Sequence, residues 1–460
     1  MQTLNDLRSG ACKGLSKVNL TCLLDDFPLE ILSLGPDLIH LDLSGTGISS
    51  LPSDIGTHLP NLKILFLSEC RFTTFPSALA SCSSLSMVAF RNNGMAFIPE
   101  NSLPPKLRWL ILTNNRISAL PKSIGSCAQL EKCMLSGNTL SELPDEMARC
   151  QKLTLLRLSA NKIEQLPDWL FKLPNLAFLS FAGNPCTASE RTTGRARRNS
   201  ESLPQIRWAD LTTHDVLGEG ASGIISKATW RRDGSEEDVA VKLFRGVLTS
   251  DGTPIDEMRA CMSAGAHANL VDVLGRIHGH PDDGRRPRTG KFQGGLVMQL
   301  IPPTYRTLGK PPSLDSCTRD CYDASDPILS AKTAVKILAG VAAAARHLHS
   351  NGIYHGDLYA HNIMVDDEGR ALLGDMGAAT IYGDDGRFSL LEGLEVLAFA
   401  HLVEDVRGLV RDSGSDSAEE VLERLKELHR RCSVSLVADR PSFENLVETL
   451  QGLLVLCKDE

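Results

Sequence analysis

Long hydrophobic runs are missing from this 460-residue chain. No stretch approaches the roughly 18 apolar residues that a membrane-crossing helix needs. The helix-like stretch 337–348 is short and is flanked by Lys336 and His349. The opening MQTLNDLRSG holds no apolar segment of the secretory kind. An excess of positive charge is missing too: a formal net charge of -8 and a pI near 5.9 argue against nucleic acid or an anionic membrane as the main partner. Metal-type cysteine spacing is also absent. The 13 cysteines are scattered, and Cys317 and Cys321 have no second Cys or His pair nearby to complete a zinc tetrahedron. What remains is the expectation of a soluble, cytoplasmic protein with reduced thiols. Hydrophobic residues at 42% and charged residues at 23% make a globular composition, and the length calls for two or three domains.

A fixed period fills residues 38–184. The pattern L-x-x-L-x-L-x-x-N recurs, for example at Leu107-Leu110-Leu112-Asn115, Leu130-Cys133-Leu135-Asn138 and Leu153-Leu156-Leu158-Asn161. The Asn-type positions are Thr46, Cys70, Asn93, Asn115, Asn138, Asn161 and Asn184, so the steps are 24, 23, 22, 23, 23 and 23. That spacing lies in the leucine-rich-repeat range. A proline recurs at a constant offset: Pro52, Pro76, Pro99, Pro121, Pro144 and Pro167. Residues 18–28 read as a degenerate first copy, which makes about eight repeats. In such a coil the leucines point inward, the Asn side chain satisfies turn backbone, and each coil buries what its neighbour cannot bury alone. Thr46 and Cys70 can also donate a hydrogen bond, Cys more weakly.

The positions alternating with the inward leucines form two columns. One runs His40, Ile64, Met87, Trp109, Lys132, Leu155, Phe178, and the other Asp42, Phe66, Ala89, Ile111, Met134, Arg157, Ser180. So much adjoining apolar surface predicts a docking face for a protein partner or for this chain's own second half. Residues 187–206 lack periodicity and carry Arg191, Arg195, Arg197 and Arg198, which reads as a basic flexible joint. Arg197 and Arg198 before Ser200 also suit a basophilic phosphorylation site. The domain plan is therefore 1–186 for the repeats, 187–206 for the linker and 207–460 for a second domain.

In that second domain single motifs replace the period. Leu217-Gly218-Glu219-Gly220-Ala221-Ser222-Gly223 with Ile225 two residues on is G-x-G-x-x-G, whose glycines let backbone close over phosphates. A dinucleotide-binding turn would read alike, but it requires a helix next. The next motif is instead Val239-Ala240-Val241-Lys242, a strand-like run ending in a lysine suited to the α and β phosphates. Glu257, on a helix begun by Pro254 and Asp256, is its candidate partner. Further on, His355-Gly356-Asp357-Leu358-Tyr359-Ala360-His361-Asn362 is H-x-D-x-x-x-x-N, and Gly374-Asp375-Met376-Gly377 supplies D-x-G. Phosphoryl transfer needs a carboxylate beside the nucleophile, here Asp357, and hard oxygen ligands for magnesium, here Asn362 and Asp375. Arg440-Pro441-Ser442-Phe443 closes the series.

With these motifs in this order, the chain resembles the leucine-rich-repeat-containing protein kinases, a group well represented in bacteria. The segments SCTRD (316–320), HGDLYAHN (355–362) and RPSF (440–443) carry the likeness. The resemblance implies an α/β leucine-rich-repeat solenoid followed by a bilobal α+β kinase-like domain. It implies a cytoplasmic, ATP- and Mg2+-dependent Ser/Thr protein kinase, with Lys242, Glu257 and Asp357 catalytic. Residues 217–223, Ile225, Ala240, Lys242, Gln299 and Ile301 would line the nucleotide. Four departures stand out. Gly356 replaces the usual Arg, so activity is expected not to depend on activation-loop phosphorylation. Met376 replaces Phe, and Tyr359 replaces the Lys typical of Ser/Thr enzymes. No A-P-E lies between Asp375 and the apolar stretch 394–401. Two alternatives stay open: a nucleotide-binding pseudokinase scaffold, and a small-molecule kinase of the aminoglycoside or choline type.

Overall fold

The computed structural model describes residues 2–187, 194–282, 292–323, 329–383, 386–411 and 416–457. The chain divides into two compact units, Met1–Leu176 with Asn184–Cys186, and Ala177–Gly183 with Thr187–Glu460.

The first unit begins with a short helix, α1 (Leu4–Arg8), held by a capping box between Thr3 and Asp6. Three-residue strands then recur once per repeat. They are β1 (Lys17–Asn19), β2 (His40–Asp42), β3 (Ile64–Phe66), β4 (Met87–Ala89), β5 (Trp109–Ile111), β6 (Lys132–Met134) and β7 (Leu155–Arg157), and the next copy, β8 (Phe178–Ser180), belongs to the second unit. Strands β1 to β7 pair in sequence order as a parallel sheet. Helix α2 (Ile55–His58) lies between β2 and β3, and short 3-10 turns come after Pro76, Pro121, Pro144 and Pro167. Each proline sets the extended entry, with φ from -71° to -67°.

The Asn positions carry the stack. Asn138 Oδ1 accepts the Ile117 N–H at 3.0 Å, and its Nδ2 donates to the Leu112 and Leu135 carbonyls at 3.0 and 2.9 Å. Asn93, Asn115 and Asn161 bond likewise across coils. Thr46 Oγ1 and Cys70 Sγ both donate to the Leu43 carbonyl, which is why they replace Asn there. The column His40, Ile64, Met87, Trp109, Lys132, Leu155 pairs in register. Its exposure is uneven: Ile64 is half-buried, whereas Met87, Trp109 and Leu155 are buried.

The second unit opens differently from a loose joint. Residues 188–193, with Arg191, lie outside the described residues, but Gly194–Ser202 is a helix, α3. An Arg197–Glu201 pair one turn apart at 2.8 Å supports it, and Asn199 Nδ2 donates to the Ser263 carbonyl at 3.1 Å. Strand β9 (Gln205–Arg207) then pairs parallel to β13 (Val273–His278). The remaining strands of this sheet are β10 (Leu211–Gly220), β11 (Gly223–Arg232), β12 (Ser235–Arg245) and β14 (Phe292–Gln299). Their order is β10-β11-β12-β14-β13-β9, with helix α4 (Pro254–Ala264) after β12. Val239, Val241, Trp230, Ile277 and Val297 form this sheet's core.

A helical half comes next, made of α5 (Ala331–Ser350), α6 (Phe388–Gly408), α7 (Asp416–Cys432) and α8 (Phe443–Leu456). Short strands lie beside it: β15 (Arg306–Thr307), β17 (Ile363–Val365) and β18 (Ala371–Leu373) in one sheet, β16 (Ile353–Tyr354) and β19 (Thr380–Ile381) in another. Among the described residues no helix is long and apolar enough to cross a membrane.

Candidate active site

The glycine-rich motif is a hairpin tip. β10 and β11 meet at Gly220 opposite Gly223, and Ala221 and Ser222 make the turn. Gly218 and Gly220 face open space, so the backbone there is unobstructed. Gly223 is required for a different reason: a Cβ at this position would collide with the Leu243 carbonyl of β12. No helix comes after the motif, which removes the dinucleotide-binding alternative. Leu217 at this edge is 54% exposed despite its size.

Lys242 sits on β12 two residues beyond the buried Ala240. Its Nζ pairs with the Glu257 carboxylate, and the side chains are 12% and 2% exposed. Glu257 is placed by α4, whose N-cap Thr253 accepts the Asp256 N–H at 3.1 Å with Pro254 in the first turn. Burial opposes the Lys242 charge, yet the Glu257 and Asp375 carboxylates outweigh it and hold the ammonium's pKa above its ordinary value. Deleting either partner alone would strand a buried charge, at a cost of about 3–5 kcal/mol. The Gln299 N–H is committed to the Asp272 carbonyl at 2.9 Å, and Ile301 is half-buried just beyond that strand.

The H-x-D-x-x-x-x-N segment joins β16 to β17. Asn362 Nδ2 donates to the Asp357 backbone carbonyl at 2.8 Å and to its Oδ2 at 3.0 Å. The Gly374 N–H donates to the Asn362 carbonyl at 2.9 Å, so the D-x-G turn is tied to the same loop. His355 bridges the two: its Nδ1 accepts the Asp357 N–H at 3.3 Å, and its Nε2 then carries the proton to the Gly374 carbonyl at 2.9 Å. Asp375 has φ +48°, a left-handed strain that its carboxylate offsets by accepting the Gly377 N–H at 3.1 Å. Among the described residues no cluster of three or more His, Cys, Asp or Glu is arranged to hold a metal. The oxygens on offer are the Asn362 amide and the Asp375 carboxylate, few and hard. Such a set fits Mg2+, which keeps several waters and takes further oxygens from phosphate.

Two supports carry no motif of their own in the sequence. Glu395 of α6, fully buried, accepts the Gly356 N–H at 2.7 Å and takes His349 Nε2 at 2.8 Å. Its carboxylate pKa is lowered, because His349 and the Gly356 N–H outweigh the cost of burial. The one signal for it is an acid inside the apolar run Leu394 to Val403. The second support is β8. Phe178 stacks on Tyr359 with ring centres 3.9 Å apart and planes 8° apart, and Tyr354 Oη donates to the Ala177 carbonyl at 3.3 Å. The R-P-x-F motif is structural here: Arg440 donates to the Gly393 carbonyl at 2.9 Å, and Phe443 is buried beside His349.

A mostly antiparallel, glycine-tipped sheet, a lysine on it paired with a glutamate of α4, and a helical half with Asp357, Asn362 and Asp375 in its loops define a protein-kinase fold. Residues 211–388 match the family model for protein tyrosine and serine/threonine kinase, and 105–163, 128–185 and 61–82 match leucine-rich-repeat models. This chain therefore carries leucine-rich repeats followed by a protein kinase domain. It is 26% identical over 187 residues to the angiopoietin-1 receptor of Danio rerio, covering 38% of this chain and 15% of that protein. It is 28% identical over 196 residues to CBL-interacting protein kinase 22 of Oryza sativa subsp. japonica, covering 39% and 38%. It is 27% identical over 168 residues to probable serine/threonine-protein kinase gdt4 of Dictyostelium discoideum, covering 36% and 8%. The match thus spans well under half the length of each of these relatives.

Proposed function

We propose that the second unit transfers the γ-phosphoryl group of ATP to a Ser or Thr hydroxyl on protein, with Mg2+ as its cofactor. The observation that carries this reading is the closed set of contacts around Asp357 and Asn362, present together with the Lys242–Glu257 pair. In this reading Lys242 holds the α and β phosphates, and residues 217–223 with Ile225 and Ala240 cover the nucleotide. Gln299 and Ile301 flank its base, Asn362 and Asp375 supply oxygens to Mg2+, and Asp357 accepts the hydroxyl proton. The metal, when bound, neutralises charge that develops on the phosphates. The Ser/Thr assignment leans on relatives whose names print that specificity. The domain plan of 1–186, 187–206 and 207–460 is retained, with the repeats as a partner-docking module. Cysteines scattered without metal-type spacing suit the reducing cytoplasm.

The test is transfer of label from γ-labelled ATP with Mg2+ onto the full-length protein itself. Asp357→Asn is expected to abolish label while nucleotide binding persists. Equal labelling of wild type and variant would remove the proposal, and nucleotide binding without any label in wild type would favour the scaffold.

A further inference from the structure

The SCTRD segment is not absorbed by the nucleotide site, yet it touches the catalytic loop. The Asp320 side chain is 3% exposed. Its Oδ2 accepts the Ala360 N–H at 2.6 Å, and its Oδ1 meets His361 Nδ1 at 2.6 Å. Ala360 and His361 are the first two residues of the 3-10 turn Ala360–Asn362, so Asp320 holds the turn that presents Asn362. The preceding residue reaches the opposite way. The Arg319 guanidinium donates to Glu404 at 2.9 Å and also pairs with Asp405, both on α6. Tyr322 Oη adds a bond to Asp405 at 3.3 Å.

Residues 319–322 therefore bolt the Asn362 turn to a long helix. Burying a carboxylate here is costly, and an apolar residue would have packed as well. What a carboxylate adds is two fixed, directional bonds to consecutive residues of the loop. Asn362 in turn grips Asp357 at both its backbone and its carboxylate, so freedom at Ala360 becomes freedom between the two.

We infer that Asp320 is a positioning residue for phosphoryl transfer, fixing the relative placement of Asp357 and Asn362 through the Ala360–Asn362 turn. The inference rests on the kinase reading above and names a part that this reading does not contain. In the full-length protein, the maximal rate of autophosphorylation and the half-saturating ATP concentration are measured together with amide hydrogen exchange over residues 357–362. Asp320→Ala is expected to lower the maximal rate about a hundredfold, the scale of a 1 Å misplacement, while half-saturating ATP stays within about twofold. Exchange should accelerate at Ala360 and its neighbours only. Asp320→Asn keeps an acceptor for the Ala360 N–H but loses the charge facing His361, and should fall about tenfold. An unchanged rate in Asp320→Ala, or faster exchange throughout the unit, overturns the inference. If wild type transfers no label, the kinase reading fails by itself, and exchange then judges Asp320: acceleration confined to 358–362 sustains its hold on the loop, and unchanged exchange refutes it.

Discussion

Gly356 holds φ +75°, and a Cβ there would collide with the Leu179 carbonyl and approach the Ala378 carbonyl to 3.0 Å. The position that usually carries an arginine therefore has no room for any side chain. An arginine is the residue that would read a phosphate on the activation segment, and here its place is taken by backbone. Transfer activity should accordingly be the same before and after phosphatase treatment, measured as an initial labelling rate. Gly356→Arg should abolish it, and Gly356→Ala should cost at least about 2 kcal/mol of stability through strain at positive φ. A phosphatase-sensitive wild type would contradict this account of the loop.

Among elements, α6 carries the most chemistry for its length. It supplies Glu395 to the catalytic loop, and Glu404 and Asp405 to Arg319. It also buries His401, whose pKa is pushed down to about 3 by burial and by the Arg319 cation, with His429 and Arg440 adding and Glu404 opposing. A histidine with a lowered folded pKa contributes stability that is complete above its unfolded value near 6.5 and lost as pH falls toward 3. Asp405 acts in the opposite sense. Burial raises its carboxyl to about 6, so its contribution is present at low pH and lost as pH rises from about 4 to 6. The two slopes oppose each other over that window. His401→Gln should then gain on wild type by up to about 1.4 kcal/mol for each unit that pH falls below 6.5. Urea unfolding of both proteins at a series of pH values reads this directly, and a pH-independent difference would show that His401 is not held neutral. The apolar period of α6 is visible in the sequence, but only from Leu394; the helix begins at Phe388. Its first turn lacks any side-chain cap, so nothing in the residue types marks it. The repeats are legible almost completely, because each coil is local and its Asn bonds within its own coil and to the neighbouring ones. The motif residues of the kinase half are legible for the same reason, as each motif is one short contiguous stretch of chain. Glu395 and Asp320 are not, because their partners lie about 40 residues away along the chain.

At the scale of the whole molecule, the two units are held by different physics and should respond differently to nucleotide. The repeats are bound coil to coil by buried leucines and the Asn ladder. The kinase half buries Lys242 and Glu257 together and leaves Leu217 exposed at its edge, so it has contacts waiting to be made. A ligand that binds only the folded form stabilises it by about 2.7 kcal/mol at a hundredfold excess over its dissociation constant. Adding ATP with Mg2+ should therefore slow hydrogen exchange across β10, β11, β12, α4 and residues 355–377, and leave the amides of Ile117 and Leu140 on the Asn ladder unchanged. Asp357→Asn should keep this protection, because in the proposed reading its carboxylate serves the acceptor and not the nucleotide. Lys242→Met should lose most of it, since in the proposed reading Lys242 holds phosphate, and it also neutralises Glu257. Protection that survives Lys242→Met would mean that nucleotide binds elsewhere, and the assignment of the cleft would have to be abandoned even if the protein proved to be a kinase.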